Sequence, residues 1–467
     1  MGSSQMLKNR SQQEDQYYEG RKFLFLGLTF FFIVAAYTLT YELKNSIFVF
    51  IVGREYIARA KLISLMILVP AILFYSKLVD SLRRYYLVCV YTAFYAILSV
   101  VFAYFLGHPT IGLSNTDASP YRLFGWLFYF FIEGYSPFIV SVFWAFSNSI
   151  TNPDAAKERY GYMVSYSKVG GMFSASVAWV LLSWRMSNGT PLFSDIASHQ
   201  LLVYISGLML GCVPFIIFYL IRVIPGRFLH GYEAVYRMEK EKSKQFAKTV
   251  GLFDGLTLLL QYPYVMGIFG MVFFYEITIQ VLSYLRISLA RSTAHNISDM
   301  SGELFKTMFI AHLVGFFISL FGTGRLLKWL GEKRCLMLIP VVSGLLLVVL
   351  VLSHHNMYAV LAAFIVLKSV NYAFSLPVRE SLYIPTVKEI KFKSKSWIDA
   401  FGSKFAKTSG GLFNSLVEGL PVALFLSTHM VFFGVVVGLW LLTAYVLGNN
   451  FEKAIEDGKV IGASDTV

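Results

Sequence analysis

The chain has 467 residues, of which 56% are hydrophobic and only 14% are charged, and its formal net charge is +13. A soluble domain has no use for so much apolar surface, so the composition excludes an ordinary soluble protein and indicates a polytopic membrane protein. The positive charge alone would suit a nucleic-acid-binding protein, but its distribution along the chain argues against that interpretation.

Twelve apolar segments recur along the chain, and each is long enough to cross the ~30 Å hydrocarbon core of a bilayer as an α-helix. The polar residues 1–21 precede the first segment, so we expect that segment to remain as an anchor and not to be removed as a signal peptide. The sequence therefore predicts an all-α polytopic membrane protein with twelve transmembrane helices. The predicted spans lie near residues 22–52, 60–80, 85–107, 123–150, 160–184, 199–222, 262–285, 304–324, 334–353, 357–378, 397–426 and 430–448.

Lysine and arginine concentrate in the even-numbered connections between these spans. The odd-numbered connections are poor in both: residues 108–122 contain only Arg122, and residues 354–356 and 427–429 contain none. By the positive-inside rule, the even-numbered connections and both termini are predicted to be cytoplasmic. The net charge then reflects membrane topology, and we expect no nucleic-acid partner. The connection after span 6 is the most basic, with Arg222, Arg227, Arg237, Lys240, Lys242, Lys244 and Lys248.

The two halves of the chain resemble each other. Lys168-Val169-Gly170-Gly171 in span 5 stands 239 residues before Lys407-Thr408-Ser409-Gly410-Gly411 in span 11. The paired glycines suit either close helix packing or local flexibility. Such a repeat predicts two six-helix halves, and the Asp80-x-x-Arg83-Arg84 signal after span 2 resembles the loop motif of the major facilitator superfamily. The predicted parts are a cytoplasmic tail (1–21), a six-helix half (22–222), a cytoplasmic central loop (223–258), a second six-helix half (259–448) and a cytoplasmic C-terminal tail (449–467).

No pattern typical of catalysis or metal binding occurs in the sequence. The three cysteines lie in or beside different spans, and the eight histidines show no ligand spacing. Neither a GxxxxGK[ST] phosphate loop nor a GxSxG or HExxH motif is present. We therefore expect no catalytic residues, no metal and no cofactor, and we interpret the protein as a non-enzyme.

Charged residues inside the apolar spans are the strongest functional signal. Lys44, Glu133 and Lys407 each lie within or at the edge of a span. A charge there costs several kcal/mol unless it faces a cavity, a partner or a ligand, so it marks a functional site by default. Basic residues outnumber acidic ones in the spans, and this asymmetry indicates a path for a polyanion.

Four stretches carry a resemblance to a known family. They are residues 37–46 (YTLTYELKNS), Glu133 with 143–151 (FWAFSNSIT), 371–385 (NYAFSLPVRESLYIP), and 398–402 leading to Lys407. Together they resemble the bacterial and plastid nucleotide transporter family, the ADP/ATP translocases or ADP,ATP carrier proteins of intracellular bacteria and plastids. The family patterns are YTxxRDTKDT, FWQFANEIT, KYSFFDPTKEMAYIP and GKSGG, and the third match is the most specific.

The resemblance implies a transporter that exchanges ATP and ADP across a membrane by alternating access. It places Lys44 and Lys407 on conserved lysines and Glu133 on a conserved acidic residue. Because a nucleotide carries several negative charges, we expect Lys168, Arg286 and Lys368 to supply further cations for the substrate phosphates. The resemblance also implies a multi-pass protein of the inner membrane of an intracellular bacterium, with the plastid envelope as the alternative. The expected partners are ATP, ADP and the bilayer, with no obligate protein partner.

Departures from the family pattern leave the substrate open. Leu282 stands where the family has an acidic residue, and Asn45 and Ser149 replace two more. One alternative is therefore a proton-coupled or exchange importer of another anionic metabolite, such as NAD or a sugar phosphate. A membrane-embedded enzyme or receptor is disfavoured, because no catalytic pair is visible and the loops are short.

We expect Lys44, Glu133 and Lys407 to face one central cavity. In this hypothesis the lysines contact phosphate, and Glu133 neutralises them when the site is empty. Arg286 has an alternative role as an interfacial anchor, because it lies at the predicted outer end of span 7.

Overall fold

The structure is a computed structural model that describes residues 2–82, 84–151, 153–187, 190–229, 254–318, 323–354, 356–371, 375–383, 385–387, 390 and 394–462. Most of the predicted central loop lies outside these residues, as do parts of the 371–385 stretch. Among the described residues the secondary structure is helical, apart from two isolated β-bridges. Helices are expected because a helix satisfies its own backbone hydrogen bonds in a medium without water.

The first seven helices begin with α1, which spans Gly2–Ile51 and so extends into the predicted polar tail. A 3₁₀ turn at Arg54–Tyr56 follows it, another lies at Gly226–Phe228, and a π-helical segment at Ser136–Val140 lies between α4 and α5. The remaining helices of this group are α2 (Ile57–Ser81), α3 (Arg84–Leu106), α4 (Leu123–Glu133), α5 (Ser141–Ser149), α6 (Pro153–Ser183) and α7 (Asp195–Val223).

The second group of helices follows residue 253. A π-helical segment at Ile398–Gly402 immediately precedes the helix that carries Lys407. The helices are α8 (Asp254–Gln261), α9 (Pro263–Thr293), α10 (Ile297–Phe317), α11 (Thr323–Leu352), α12 (Met357–Val370), α13 (Leu376–Ser381), α14 (Lys395–Trp397), α15 (Ser403–Val417) and α16 (Val422–Glu456).

These helices confirm the predicted all-α, multi-pass membrane class. Each of the twelve predicted spans overlaps at least one of them, and seven helices among the described residues are long and apolar enough to cross a membrane. Large apolar side chains remain exposed along them, among them Tyr104, Leu208, Phe215, Leu345 and Leu442. Exposed apolar side chains on helices of this length are expected to contact lipid tails.

Backbone contacts group the chain into two compact units. The first unit comprises Met1–Gly53, Leu68–Thr249 and His295–Phe309. The second comprises Arg54–Ile67, Val250–Ala294 and Ile310–Val467. Helices α2 and α10 are therefore each divided between the units.

In the first unit, α1 is the central helix and packs against α4, α6 and α7. Phe30 of α1 stacks on Phe143 of α5, with ring centroids 4.7 Å apart. A Cβ at Gly170 of α6 would lie 2.5 Å from the carbonyl oxygen of Phe31. Gly170 therefore allows α6 to pack directly on the backbone of α1, which favours the packing interpretation of the paired glycines.

In the second unit, α9 packs against α12, α15 and α16, and α11 packs against α16. A Cβ at Gly410 of α15 would lie 2.9 Å from the carbonyl oxygen of Ile277 in α9. Gly410 therefore has the same packing role as its counterpart in span 5, and it brings α15, the helix of Lys407, close to α9.

Gly331 provides a test of backbone strain inside α11. Its φ of 75° and ψ of 168° fall in a region that is essentially restricted to glycine, and a Cβ there would meet no atom within 4 Å. We expect Gly331→Ala to destabilise the protein by ~1–3 kcal/mol through the backbone alone. The control is Gly438→Ala in α16, where space is also open and the backbone is helical, so this change should be neutral or stabilising. Thermal unfolding of the detergent-purified variants measures both effects, and equal melting temperatures for Gly331→Ala and wild type would contradict the assignment.

Candidate functional site

Lys44 and Glu133 form a buried ion pair in the first unit. The amine of Lys44 on α1 donates a hydrogen bond to Oε1 of Glu133 at the end of α4. The Lys44 side chain is 1% exposed and that of Glu133 is 12% exposed. Lys44 is shielded from bulk water and Glu133 is largely shielded, so each charge depends on the other and on nearby polar groups for stabilisation.

Two tyrosine rings flank the amine of Lys44. Lys44 Nζ lies 4.5 Å from the ring centroid of Tyr41 and 4.6 Å from that of Tyr129. Both distances are within the range of cation–π attraction. Tyr41 precedes Lys44 by one turn of α1, and Tyr129 precedes Glu133 by one turn of α4. The positive charge is therefore held between two aromatic faces and one carboxylate.

Lys168 lies away from this ion pair. Gly170 of α6 lies close to Phe31 of α1, and Tyr166 of α6 lies close to Gly27 of α1. In both pairs the residue numbers differ by 139, so a residue of α6 lies level with the residue of α1 that is 139 positions earlier. Lys168 is therefore level with Thr29 of α1, which places its backbone ~20 Å from that of Lys44 along the helix axis. Within the first unit the structure brings Lys44 and Glu133 together, but it does not bring Lys168 to them.

Lys407 and Glu276 form the corresponding pair in the second unit. Lys407 Nζ on α15 lies 3.5 Å from Oε2 of Glu276 on α9. The hydroxyl of Ser403, one turn before Lys407, donates a hydrogen bond of 2.9 Å to the other carboxylate oxygen, Oε1. Ser403 thereby orients the carboxylate toward Lys407. The Lys407 side chain is 36% exposed, so this lysine is more accessible than Lys44.

Arg286 and Lys368 share one aromatic ring in the second unit. The guanidinium carbon of Arg286 lies 4.2 Å from the ring centroid of Phe364, and Lys368 Nζ lies 5.1 Å from it. Arg286 is 1% exposed, and α9 continues to Thr293 beyond it, later than the predicted end of span 7. Arg286 therefore packs against protein side chains, and its role as a site residue stays a prediction. Two cations beside one ring form a positive cluster suited to an anion with several charges.

Several partners in these clusters were not predicted from the sequence. Tyr41, Tyr129, Ser403 and Phe364 each lie one helical turn before a predicted site residue, so the i, i+3 and i, i+4 spacing was a usable signal. Glu276 lies inside the predicted span 262–285 and so carried the same signal as Glu133, but its pairing with Lys407 depends on how α9 packs against α15. The expectation that Lys44, Glu133 and Lys407 share one site stays a prediction.

The chain is similar in sequence to carrier proteins of bacteria and plastids. It is 24% identical to "ADP,ATP carrier protein 1" of Chlamydia muridarum over 495 aligned positions, covering 94% of this chain and 90% of that protein. It is 23% identical to "ADP,ATP carrier protein 2, chloroplastic" of Arabidopsis thaliana, covering 94% of this chain and 76% of that protein. These similarities agree with the resemblance found in the four motif stretches.

The fold is similar to that of solved transporters of the major facilitator type. The crystal structure of a D-xylose-proton symporter superposes with a TM-score of 0.64 at 10% identity, covering 91% of this chain and 96% of that one. This similarity confirms the predicted major facilitator-like fold. The family described as "TLC ATP/ADP transporter" matches residues 121–451, which is more than half of the chain and includes Glu133, Arg286 and Lys407. The chain therefore belongs to the TLC ATP/ADP transporter family.

Proposed function

We propose that this protein exchanges ATP and ADP across a membrane by alternating access. The observation that carries the proposal is that each unit holds a lysine paired with a glutamate: Lys44 with Glu133, and Lys407 with Glu276. Lys44, Glu133 and Glu276 lie in segments that are long and apolar enough to cross a membrane. The Lys44–Glu133 pair, at 1% and 12% exposure, is expensive to bury for stability alone. Both pairs are suited to a site that alternates between an empty, neutral state and a state loaded with an anion.

The paired lysines would bind the substrate phosphates by exchanging partners. In the empty protein the glutamate neutralises the lysine, so no buried charge is left alone. When a nucleotide enters, a phosphate oxygen replaces the carboxylate at the lysine amine, which is a compact and movable donor. Release reverses this exchange, and the returning carboxylate keeps the affinity for the nucleotide moderate.

Arg286 and Lys368 would add a second point of attachment for the phosphates. The planar guanidinium of Arg286 can donate two parallel hydrogen bonds to one phosphate group, whereas lysine contributes a point charge. Both cations lie beside the Phe364 ring in the second unit. With Lys407, these two residues give the clusters of the second unit three positive charges against the one negative charge of Glu276. This excess of positive charge favours a polyphosphate over a singly charged anion.

The proposal is tested by uptake into bacterial cells that express the protein. Labelled ATP, ADP, NAD, a sugar phosphate and inorganic phosphate are offered separately, with vector-only cells as the control. We expect uptake of ATP and ADP above the control, and inhibition of each by an excess of the other. Uptake of NAD or the sugar phosphate without uptake of ATP or ADP would overturn the proposal in favour of the anionic-metabolite importer.

A further inference from the structure

One face of α1 carries two tyrosines in line with Lys44. Tyr37, Tyr41 and Lys44 are spaced by four and three residues, so their side chains follow one another along the same side of the helix. The ring centroids of Tyr37 and Tyr41 are 5.5 Å apart, and Lys44 Nζ lies 4.5 Å from the Tyr41 ring. A cation and two aromatic rings thus form a continuous row on α1.

The ring of Tyr37 packs against a buried tyrosine, Tyr135. Tyr135 stacks on it with centroids 5.5 Å apart and an interplanar angle of 26°. Tyr135 is itself buried, its hydroxyl donates a 2.7 Å hydrogen bond to the carbonyl oxygen of Ile33, and Tyr95 packs edge-on against it at 5.4 Å. A ring supported in this way loses little further freedom when a ligand stacks on it.

Exposure separates the tyrosines of this cluster into two classes. Tyr129 and Tyr135 are each 1% exposed and Tyr95 is 7% exposed, so they belong to the core of the first unit. Tyr37 and Tyr41 are half-buried. The tyrosines of this cluster that are not fully buried are therefore those in the row with Lys44.

We propose that Tyr37 and Tyr41 bind the base of the nucleotide by stacking while Lys44 binds its phosphates. The inference rests on the proposed function and assigns the base end of the same site. Tyr37 and Lys44 are seven positions apart on α1, a rise of ~10 Å along the helix. This distance is comparable to the length of a nucleoside diphosphate from its base to its terminal phosphate, so one molecule can reach both ends of the row.

The stacking surface predicts a particular pattern of selectivity. Every base has a π-face, so stacking on an aromatic side chain tolerates different bases. Inorganic pyrophosphate, which has the phosphates of ADP and no base, gains nothing from the tyrosines. Loss of the Tyr37 ring should therefore weaken binding of ADP and leave binding of pyrophosphate unchanged.

The test is isothermal titration of detergent-purified full-length protein with ADP and, separately, with pyrophosphate. Tyr37→Leu removes the ring and keeps an apolar side chain; we expect about 5- to 100-fold weaker ADP binding and unchanged pyrophosphate binding. Tyr37→Phe retains the ring and should bind ADP as the wild type does. The matched control is Tyr104→Leu, at a tyrosine that is 67% exposed on α3, which should alter neither ligand. Tyr37 is preferred to Tyr41 because replacing Tyr41 would also remove a contact of Lys44.

The outcomes separate this inference from the proposed function. If wild type binds ADP and Tyr37→Leu binds it equally well, the stacking assignment is overturned and the proposed function stands. An equal loss of ADP and pyrophosphate binding in Tyr37→Leu also overturns the assignment, because it shows a general disturbance of the site. If wild type does not bind ADP, the proposed function fails and the stacking assignment fails with it.

Discussion

Replacing Lys407 or Lys44 with glutamine is expected to remove most nucleotide exchange while leaving the protein inserted in the membrane. Glutamine is neutral and still compatible with a helix, but it cannot supply the charge that meets a phosphate oxygen. A hydrogen bond to a charged group contributes ~1.5–3 kcal/mol, so each variant should lose about 10- to 100-fold in transport efficiency. Lys407→Gln is easier to interpret than Lys44→Gln, because the Lys407 side chain is 36% exposed and its replacement should disturb folding less than replacement of the buried Lys44.

The control for these variants is Lys333→Gln. Lys333 also pairs with a glutamate, Glu452, at 2.7 Å, but both side chains are partly exposed and lie outside the candidate site. This variant should transport nucleotides at the wild-type rate. Initial rates of labelled ATP uptake, normalised to the amount of inserted protein, measure the effect. Normal rates in both Lys44→Gln and Lys407→Gln would show that these lysines do not bind the substrate.

Replacing Glu133 with glutamine is expected to change the kinetics of exchange without abolishing binding. The carboxylate competes with phosphate for the amine of Lys44, so its removal leaves the amine available to the nucleotide. Coupling energies between close charge pairs reach a few kcal/mol, and we expect both the KM and the maximal rate to fall by about tenfold. The maximal rate falls because a nucleotide that meets no competitor is released more slowly.

Glu303→Gln serves as the control for this second prediction. Glu303 pairs with Lys306 at 3.4 Å on the same helix, and both side chains are more than a third exposed. Its replacement should leave both kinetic parameters unchanged. A higher KM with an unchanged maximal rate in Glu133→Gln would contradict the competition between carboxylate and phosphate, because it would mean that Glu133 contributes to substrate binding.

Most of what could be predicted from the sequence came from two properties: the hydropathy of the spans, which predicted the helices, and the cost of burying charge, which indicated the site residues. Each predicted span overlaps at least one helix among the described residues, because a helix satisfies its backbone hydrogen bonds within one segment of chain. Lys44 and Glu133 stood out because isolated charges are rare in apolar spans, and the structure places them in contact. The helices could be predicted because they depend on residues close together in sequence. Lys44 and Glu133 could be identified because a charge in an apolar span is visible from the residue type alone.

The parts that could not be predicted depend on packing between distant helices. Glu276 lies inside a predicted span, but its pairing with Lys407 could not be predicted, because it follows from the close approach of α9 and α15 that Gly410 permits. The predicted span 7 ended at residue 285, whereas α9 continues to Thr293, because polar residues in its last two turns hid the continuation. The two π-helical segments, just after Glu133 and just before Ser403, also gave no sequence signal, although such segments often occur at functional sites.

The most direct test of the central claim is exchange in liposomes that contain the purified protein. Liposomes are loaded with ADP or left empty, labelled ATP is added outside, and uptake and phosphate release are followed together. Exchange of ATP for ADP predicts rapid uptake into ADP-loaded liposomes, little uptake into empty ones, and no phosphate released by the protein. Equal uptake into loaded and empty liposomes, or phosphate release in proportion to uptake, would contradict the account.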